Sequence, residues 1–398
     1  MKVPFGTISI TQKSKDLINE ILESGRVSSG KYVREFEERF AALIGTKEAV
    51  AVNTGTAADT LALSVLYDFG AKRNDEIIVP ALSFVATGNA VLEAGFKPVF
   101  VDIERETLNI NPDKIEDSIT EKTRAILVVH LVGKPADMDA VNQIAKKYNL
   151  YVIEDAAEAY GAIYKEKKVG TLGNLATFST YLAHIVSTIE GGVVTTNRED
   201  FAEVLRSLRV HGTACKCKVC TLRIGGGYCP KRFQYGEDIR FIFERIGYST
   251  KMNELEAAVG LGNLDIYDEI LEKRRKNWLS LNEKFEKFKP YLTTIKEGKD
   301  EKIGPHAFPI IIQEGVPFNR NQLVDFLEKN EIETRSLFSS MPTQCKGFSF
   351  LGYKLGDFPN AECIGNYGLH IGIHQDLNEE HINYFISKLK EFLSLYIK

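Results

Sequence analysis

The chain has 398 residues, of which 44% are hydrophobic and 26% charged. One hydrophobic core seldom organises a chain of this length, so two domains are expected. Its 54 acidic residues outnumber 50 basic ones, which argues against a broad basic surface and a nucleic-acid partner. No apolar run approaches the ~20 residues of a membrane helix. The opening MKVPFGTISI carries no secretory signal, so the expected location is cytoplasmic, with no membrane partner.

Val33, Phe36, Phe40 and Leu43 recur at helical spacing and predict a helix. Short apolar strands then alternate with helical stretches. EAVAV (48–52) precedes a helix at about 55–68, EIIV (76–79) one at 85–94, and RAILVV (124–129) one at 136–148, with LYVIE (150–154) next. This rhythm predicts a mainly parallel sheet covered by helices, with ligands at the carboxyl ends of the strands. The rhythm weakens near residue 210, where residues 211–235 read as a Cys-, Lys- and Gly-rich insertion. A long helix is expected from Asn253 to about 288, and a small α+β unit over 306–398. The expected domains are 1–252 and 253–398.

NTGTAADT (53–60) falls between a strand and a helix. Thr54, Gly55, Thr56 and Ala57 there would offer hydroxyls and backbone N–H groups to an anion, with plain helix capping as the alternative. Asp155 ends an apolar strand, where a carboxylate faces the ligand crevice and could hold a protonated pyridine nitrogen. Phe84 follows EIIVPA, placed either to stack on an aromatic cofactor or to fill the core. The segment 176–194, ATFSTYLAHIVSTIEGGVV, reads as a strand, an irregular stretch, then Gly191-Gly192 and another strand.

Taken in order, these segments resemble the sugar aminotransferases of the DegT type, pyridoxal-phosphate enzymes of fold type I. The resemblance extends through SSGKYVREFEERFAALIG, VPALSFVATGNAV, VVHLVGKPADMDAV, VIEDAAEAYGA and GYSTKMNELEAAVGLGNLD. It implies a large α/β domain, a small C-terminal α+β domain and a homodimer. It also implies cofactor contacts from Thr54, Gly55, Thr56, Ala57, Phe84, Asp155, Glu158 and Ser179. Ser249 and Lys251 would stand where the family reaches the neighbouring subunit's phosphate.

One position departs from the pattern. Six residues before Glu190 of the EGG motif the family has a lysine that binds the cofactor covalently, and here His184 stands. Imidazole forms no stable Schiff base but moves protons near neutral pH. The cofactor is therefore expected as noncovalent pyridoxamine phosphate (PMP). The same exchange is found in the branch of 3-dehydrases acting on nucleotide-linked 4-keto-6-deoxyhexoses in deoxysugar biosynthesis, including that of lipopolysaccharide. RSLRVHGTACKC, CPKRF, ETRSLFSS and GLHIGIHQDLNEE resemble that branch as well. The implied catalytic residues are His184, as acid and base, and Asp155. The alternatives are other PMP chemistry on nucleotide sugars, or a noncatalytic sensor or scaffold.

Six cysteines are few, yet Cys215, Cys217, Cys220 and Cys229 crowd into fifteen positions. Such spacing suits a shared metal site in a reducing compartment. In one part of the branch a 2Fe–2S cluster takes electrons from a reductase; in another, glutamate regenerates the cofactor without a cluster. A 2Fe–2S cluster is the leading expectation here, with zinc or four free thiols as alternatives. His211, His370 and His374 read either as strand-end and core residues or as lining the site.

Overall fold

The computed structural model describes residues 1–218, 220 and 227–397. Seven strands form the main sheet: β1 (Glu48–Val52), β2 (Glu76–Pro80), β3 (Lys97–Val101), β4 (Thr123–Val129), β5 (Tyr151–Asp155), β6 (Leu175–Ser179) and β7 (Gly192–Thr196). Their order across the sheet is β1-β7-β6-β5-β4-β2-β3. β7 runs antiparallel to both its neighbours, and every other pairing is parallel. Every residue of β1, β2, β6 and β7 is buried. Strands covered on both faces need such unbroken apolar runs rather than alternation.

Helices cover both faces. α1 (Gln12–Ser24) and α2 (Lys31–Ile44) lie at the amino end of the chain. α3 (Gly55–Ser64), α4 (Val85–Glu93), α5 (Met138–Tyr148) and α6 (Glu199–Leu208) follow strands. Phe36 and Phe40 of α2 pack with Phe178 of β6 and Tyr160 on one face. The buried Glu254 carboxylate accepts from the backbone N–H groups of Gly30, Tyr32 and Val33 at 2.7–3.0 Å, so it caps α2 from 220 residues away.

The long helix expected from residue 253 is two helices, α7 (Glu254–Asp265) and α8 (Tyr267–Phe285). Ile266 leaves the helical region at φ −112°, ψ 14°, with neither glycine nor proline beside it to signal the break. The packing explains it. α7 lies against α1 and α2, whereas α8 buries Trp278, Leu281 and Phe285 with the second sheet. That sheet holds β8 (Leu292–Thr293), β9 (Ala307–Ile312), β10 (Thr334–Ser336) and β11 (Gly368–Gly372) in the order β8-β9-β11-β10. One apolar cluster runs from Val79 and Leu127 of the large sheet through Phe308 and Ile371 of the small one, so the two sheets share a core. Among the described residues no helix is long and apolar enough to cross a membrane.

Candidate active site

The carboxyl edge of the parallel strands collects most of the residues singled out above. β1 ends at Val52, and α3 starts three residues later behind Thr54, whose hydroxyl accepts from Ala57 N–H at 3.0 Å. The capping alternative for Thr54 is therefore real, yet the amides of Gly55 and Thr56 have no partner among the described residues and stand at the positive end of α3. Ser179, at the end of β6, lies against this turn: a Cβ on Gly55 would sit 2.8 Å from Ser179 Cβ. Gly192, at the start of β7, passes closer still; a Cβ there would lie 2.3 Å from the Thr54 carbonyl oxygen. Lys251 bridges Val52, and Asn53 N–H donates to the Thr250 carbonyl at 3.0 Å. Ser249 is exposed and bridges Val210.

Asp155 closes β5. Its carboxylate accepts from Thr87 Oγ1 at 3.1 Å and from Ala157 N–H at 3.2 Å. It is 7% exposed, and burial pushes its pKa up against the pull of those two donors. Neither lysine nor arginine pairs with it among the described residues. Asp59 of α3, absent from the sequence expectations, is buried nearby and takes a 2.5 Å hydrogen bond from Thr177 Oγ1. Burial and the Asp155 charge push Asp59 well above the carboxylate range. Phe84 caps the start of α4 with 58% of its surface exposed, so it is no core residue. Its ring lies 5.8 Å from that of Phe338.

His184 sits in the loop between β6 and β7, which closes on itself. Thr180 N–H donates to Gly191 O, Thr188 N–H donates to Thr180 O, and the Thr180 and Thr188 hydroxyls meet at 2.6 Å. Ile185 and Val186 anchor the loop in the core. Arg274 of α8, 1% exposed, donates to the Ala183 and His306 carbonyls and to Gln375 Oε1. His184 Nδ1 is buried without a hydrogen-bond partner. Burial, with the Arg274 charge, lowers the His184 pKa to about 3, so the ring is a free base throughout the neutral range. Its ring centroid is 4.9 Å from that of His306, whose Nε2 lies 3.3 Å from Glu158 Oε1. Val132 N–H donates to the other Glu158 oxygen at 2.7 Å. Burial pushes Glu158 up to about 7 and His306 well below its ordinary value.

Of the other histidines, His370 faces this pair. His211 is exposed, His370 packs between Phe5 and Phe338, and His374 is 3.2 Å from the Pro4 carbonyl. Thr87, Asp59, Arg274 and His306 went unnoticed in the sequence. Thr87 and Asp59 lie inside quoted motifs, but Arg274 and His306 carry no local signal.

All four clustered cysteines are free thiols. Cys215, Cys217 and Cys220 line a cavity of about 290 Å³ with Arg206, Arg209 and Arg240. Among the described residues no group of three or more His, Cys, Asp or Glu side chains is arranged to hold a metal ion. Among the described residues the structure therefore does not assemble the cluster or zinc site suggested by the spacing. Gly225 and Gly226 of the Gly-rich insertion lie outside the described residues.

The carboxyl-edge residues fit a pyridine-ring phosphate ester. They supply a buried carboxylate lacking a cation, open amides at a helix start and an exposed aromatic face. The family profile described as the DegT/DnrJ/EryC1/StrS aminotransferase family matches residues 9–390. GDP-4-keto-6-deoxy-D-mannose 3-dehydratase of Yersinia pseudotuberculosis is 33% identical over 96% of this chain and 97% of its own. GDP-perosamine synthase of Caulobacter vibrioides is 34% identical over 95% of each chain. The solved structure of E. coli GDP-4-keto-6-deoxy-D-mannose 3-dehydratase with bound hydrated PLP superposes with a TM-score of 0.86 at 30% identity. That match covers 98% of this chain and all of the other.

Proposed function

Because the chain belongs to the DegT/DnrJ/EryC1/StrS aminotransferase family, we propose that it is a PMP-dependent enzyme removing the 3-hydroxyl of a nucleotide-linked 4-keto-6-deoxyhexose. The observation that carries this reading is His184: a neutral imidazole in the loop between β6 and β7, in a stretch from Ala176 to Val194 with no lysine. Pyridoxamine phosphate, when bound, supplies an amine for the 4-keto carbon and a ring that accepts electrons. Asp155 holds the proton on the ring nitrogen, and that cation relieves the cost of the buried carboxylate. The amides at the start of α3, with Thr54 and Ser179, hold the phosphate. Phe84 covers one face of the ring, and Glu158 sits beside Asp155 for a further polar contact. His184 takes a proton from the methylene carbon of the bound amine and delivers it to the departing hydroxyl oxygen. A lysine engaged in a covalent link is not free for that transfer.

The aminotransferase reading draws on GDP-perosamine synthase, which is as similar as the dehydratase; the absence of lysine from the loop weighs against it. A homodimer is part of the proposal. Tyr228, Phe241 and Ile246 are each more than 70% exposed, an apolar surface suited to cover by a second copy. Glutamate is the proposed amine donor.

The test supplies the protein with PMP, glutamate and GDP-, CDP- or dTDP-linked 4-keto-6-deoxyhexoses, and follows carbon 3 by NMR. Loss of the 3-hydroxyl with one of them is expected. Formation of a 4-amino sugar alone would overturn the dehydratase and leave a transaminase. With pyridoxal phosphate supplied instead of PMP, borohydride should trap no cofactor at residue 184 of the wild-type chain and should trap it on His184→Lys.

A further inference from the structure

His184 lacks the usual support of an acid–base histidine. Such a ring is normally fixed by a hydrogen bond on its second nitrogen, yet His184 Nδ1 is buried without one. Its orientation comes instead from neighbouring rings. His306 packs against it in a tilted arrangement, at 4.9 Å between centroids and 32° between planes, while Tyr181 approaches edge-on at 6.4 Å. His306 begins the approach to β9 in the C-terminal part of the chain and is 8% exposed. Glu158 Oε1 is 3.3 Å from its Nε2, and Arg274 donates to its backbone carbonyl.

We infer that His306 is a positioning residue: its imidazole, fixed by Glu158, is the platform on which the His184 ring rests while it moves protons. This rests on the reading of His184 given above. The groups facing the pair are Glu158 and, behind it, Asp155 from the β5 edge, Arg274 from α8, and His370 from β11. Burial, His184 itself, Arg274 and His370 all oppose a positive charge at His306. The platform therefore stays neutral while His184 cycles.

Two variants separate the ring from its contact with Glu158. His306→Phe keeps a flat ring and loses the Glu158 contact. His306→Gln keeps a polar contact for Glu158 and loses the stack. The expected result is a kcat within about three-fold of wild type for Phe and ~10²-fold lower for Gln, at similar KM, the scale of a misplaced catalytic group. The second readout needs no cofactor. The chain has seven histidines, and His184 is assigned in ¹⁵N-histidine spectra by its loss in His184→Asn. Its ring should stay neutral below pH 5 in wild type and Phe, and titrate nearer ~6.5 in Gln, where water reaches it. Equal activity in both variants, a loss in Phe but not in Gln, an equal loss in both, or an unchanged His184 titration in Gln would each overturn the platform. If His184→Asn itself turns over normally, the functional reading falls, while the titrations still decide whether His306 supports the ring.

Discussion

The carboxyl edge of the large sheet and the cysteine segment both lie in the first two-thirds of the chain, and both carry polar residues at suggestive spacing. They are held by different means. At the edge, Asp155, Ser179 and Thr54 each terminate or follow a buried strand, so their backbones are fixed before their side chains are used. In the cysteine segment the framework is one of surface ion pairs, such as Arg232 and Arg240 with Asp238, beside exposed Tyr228, Phe233 and Tyr235. Pairs of that kind contribute ~0–1 kcal/mol. The difference teaches that residue spacing specifies a site only where burial fixes the backbone that carries it.

Substitutions at the edge should therefore be costly and those among the cysteines mild. The largest expected effect is on His184→Asn, with turnover down ~10²–10⁴-fold and PMP affinity unchanged, since an amide cannot take the proton. Asp155→Asn should follow, with turnover falling more than in Asp155→Glu because an amide cannot hold a pyridinium. Single-turnover kinetics beside an absorbance titration with PMP checks both. Normal turnover in Asp155→Asn would reduce that residue to a cap on the turn at Ala157.

Gly192→Ala should cost about 1–3 kcal/mol of stability, the usual scale of overpacking, because its methyl would meet the Thr54 carbonyl at 2.3 Å. Phosphate affinity should fall with it. Denaturant melts and inorganic phosphate binding measure the two effects, and an unchanged phosphate affinity would separate β7 from the anion site.

Glu158→Gln tests the electrostatics of the cofactor-free protein. Burial raises the Glu158 pKa from 4.5 to about 7, so the folded state binds this proton more tightly than the unfolded one. Stability from this group is thus full below about pH 4.5 and is lost as pH rises through about 7. The buried histidines have the opposite sign: their lowered values remove stability as pH falls below ~6.5. Relative to wild type, Glu158→Gln should gain stability steadily from pH 5 to 7, by up to ~1.4 kcal/mol per pH unit. A pH-independent difference in melting would show that Glu158 is ionised in the folded chain.

The smallest effect belongs to Cys217→Ser. Its thiol is held above the ordinary range by burial and by Cys215, and it touches nothing at the sheet edge. PMP affinity and the elimination step should stay within about two-fold of wild type. A larger loss of PMP affinity would link the two regions and break the comparison.

The same division marks what the sequence made legible. Much of the strand–helix alternation from Glu48 to Asp155, the turn at Thr54–Ala57, Asp155 and the loop carrying His184 could be identified because each is a contiguous motif bounded by a buried strand, whereas α1, β3 and α6 were not anticipated. Glu254 capping α2, the break at Ile266, and the convergence of Arg274 and His306 on His184 could not. Each depends on packing between segments some 90 to 220 residues apart, and none leaves a pattern in its own neighbourhood. The cysteines show the reverse failure: the local pattern is clear, but no tertiary arrangement in the described residues completes it.

Arg274 has a consequence for how this enzyme could be divided. The residues proposed to grip the phosphate and the ring nitrogen all lie before residue 193, so an amino-terminal fragment would still contain the whole grip. The guanidinium that ties the Ala183 carbonyl to those of His306 and Gln375 comes from α8, and the ring under His184 comes from the approach to β9. A fragment ending before them would be a cofactor holder without a working proton carrier, which makes the carboxyl-terminal unit the fourth wall of the reaction chamber.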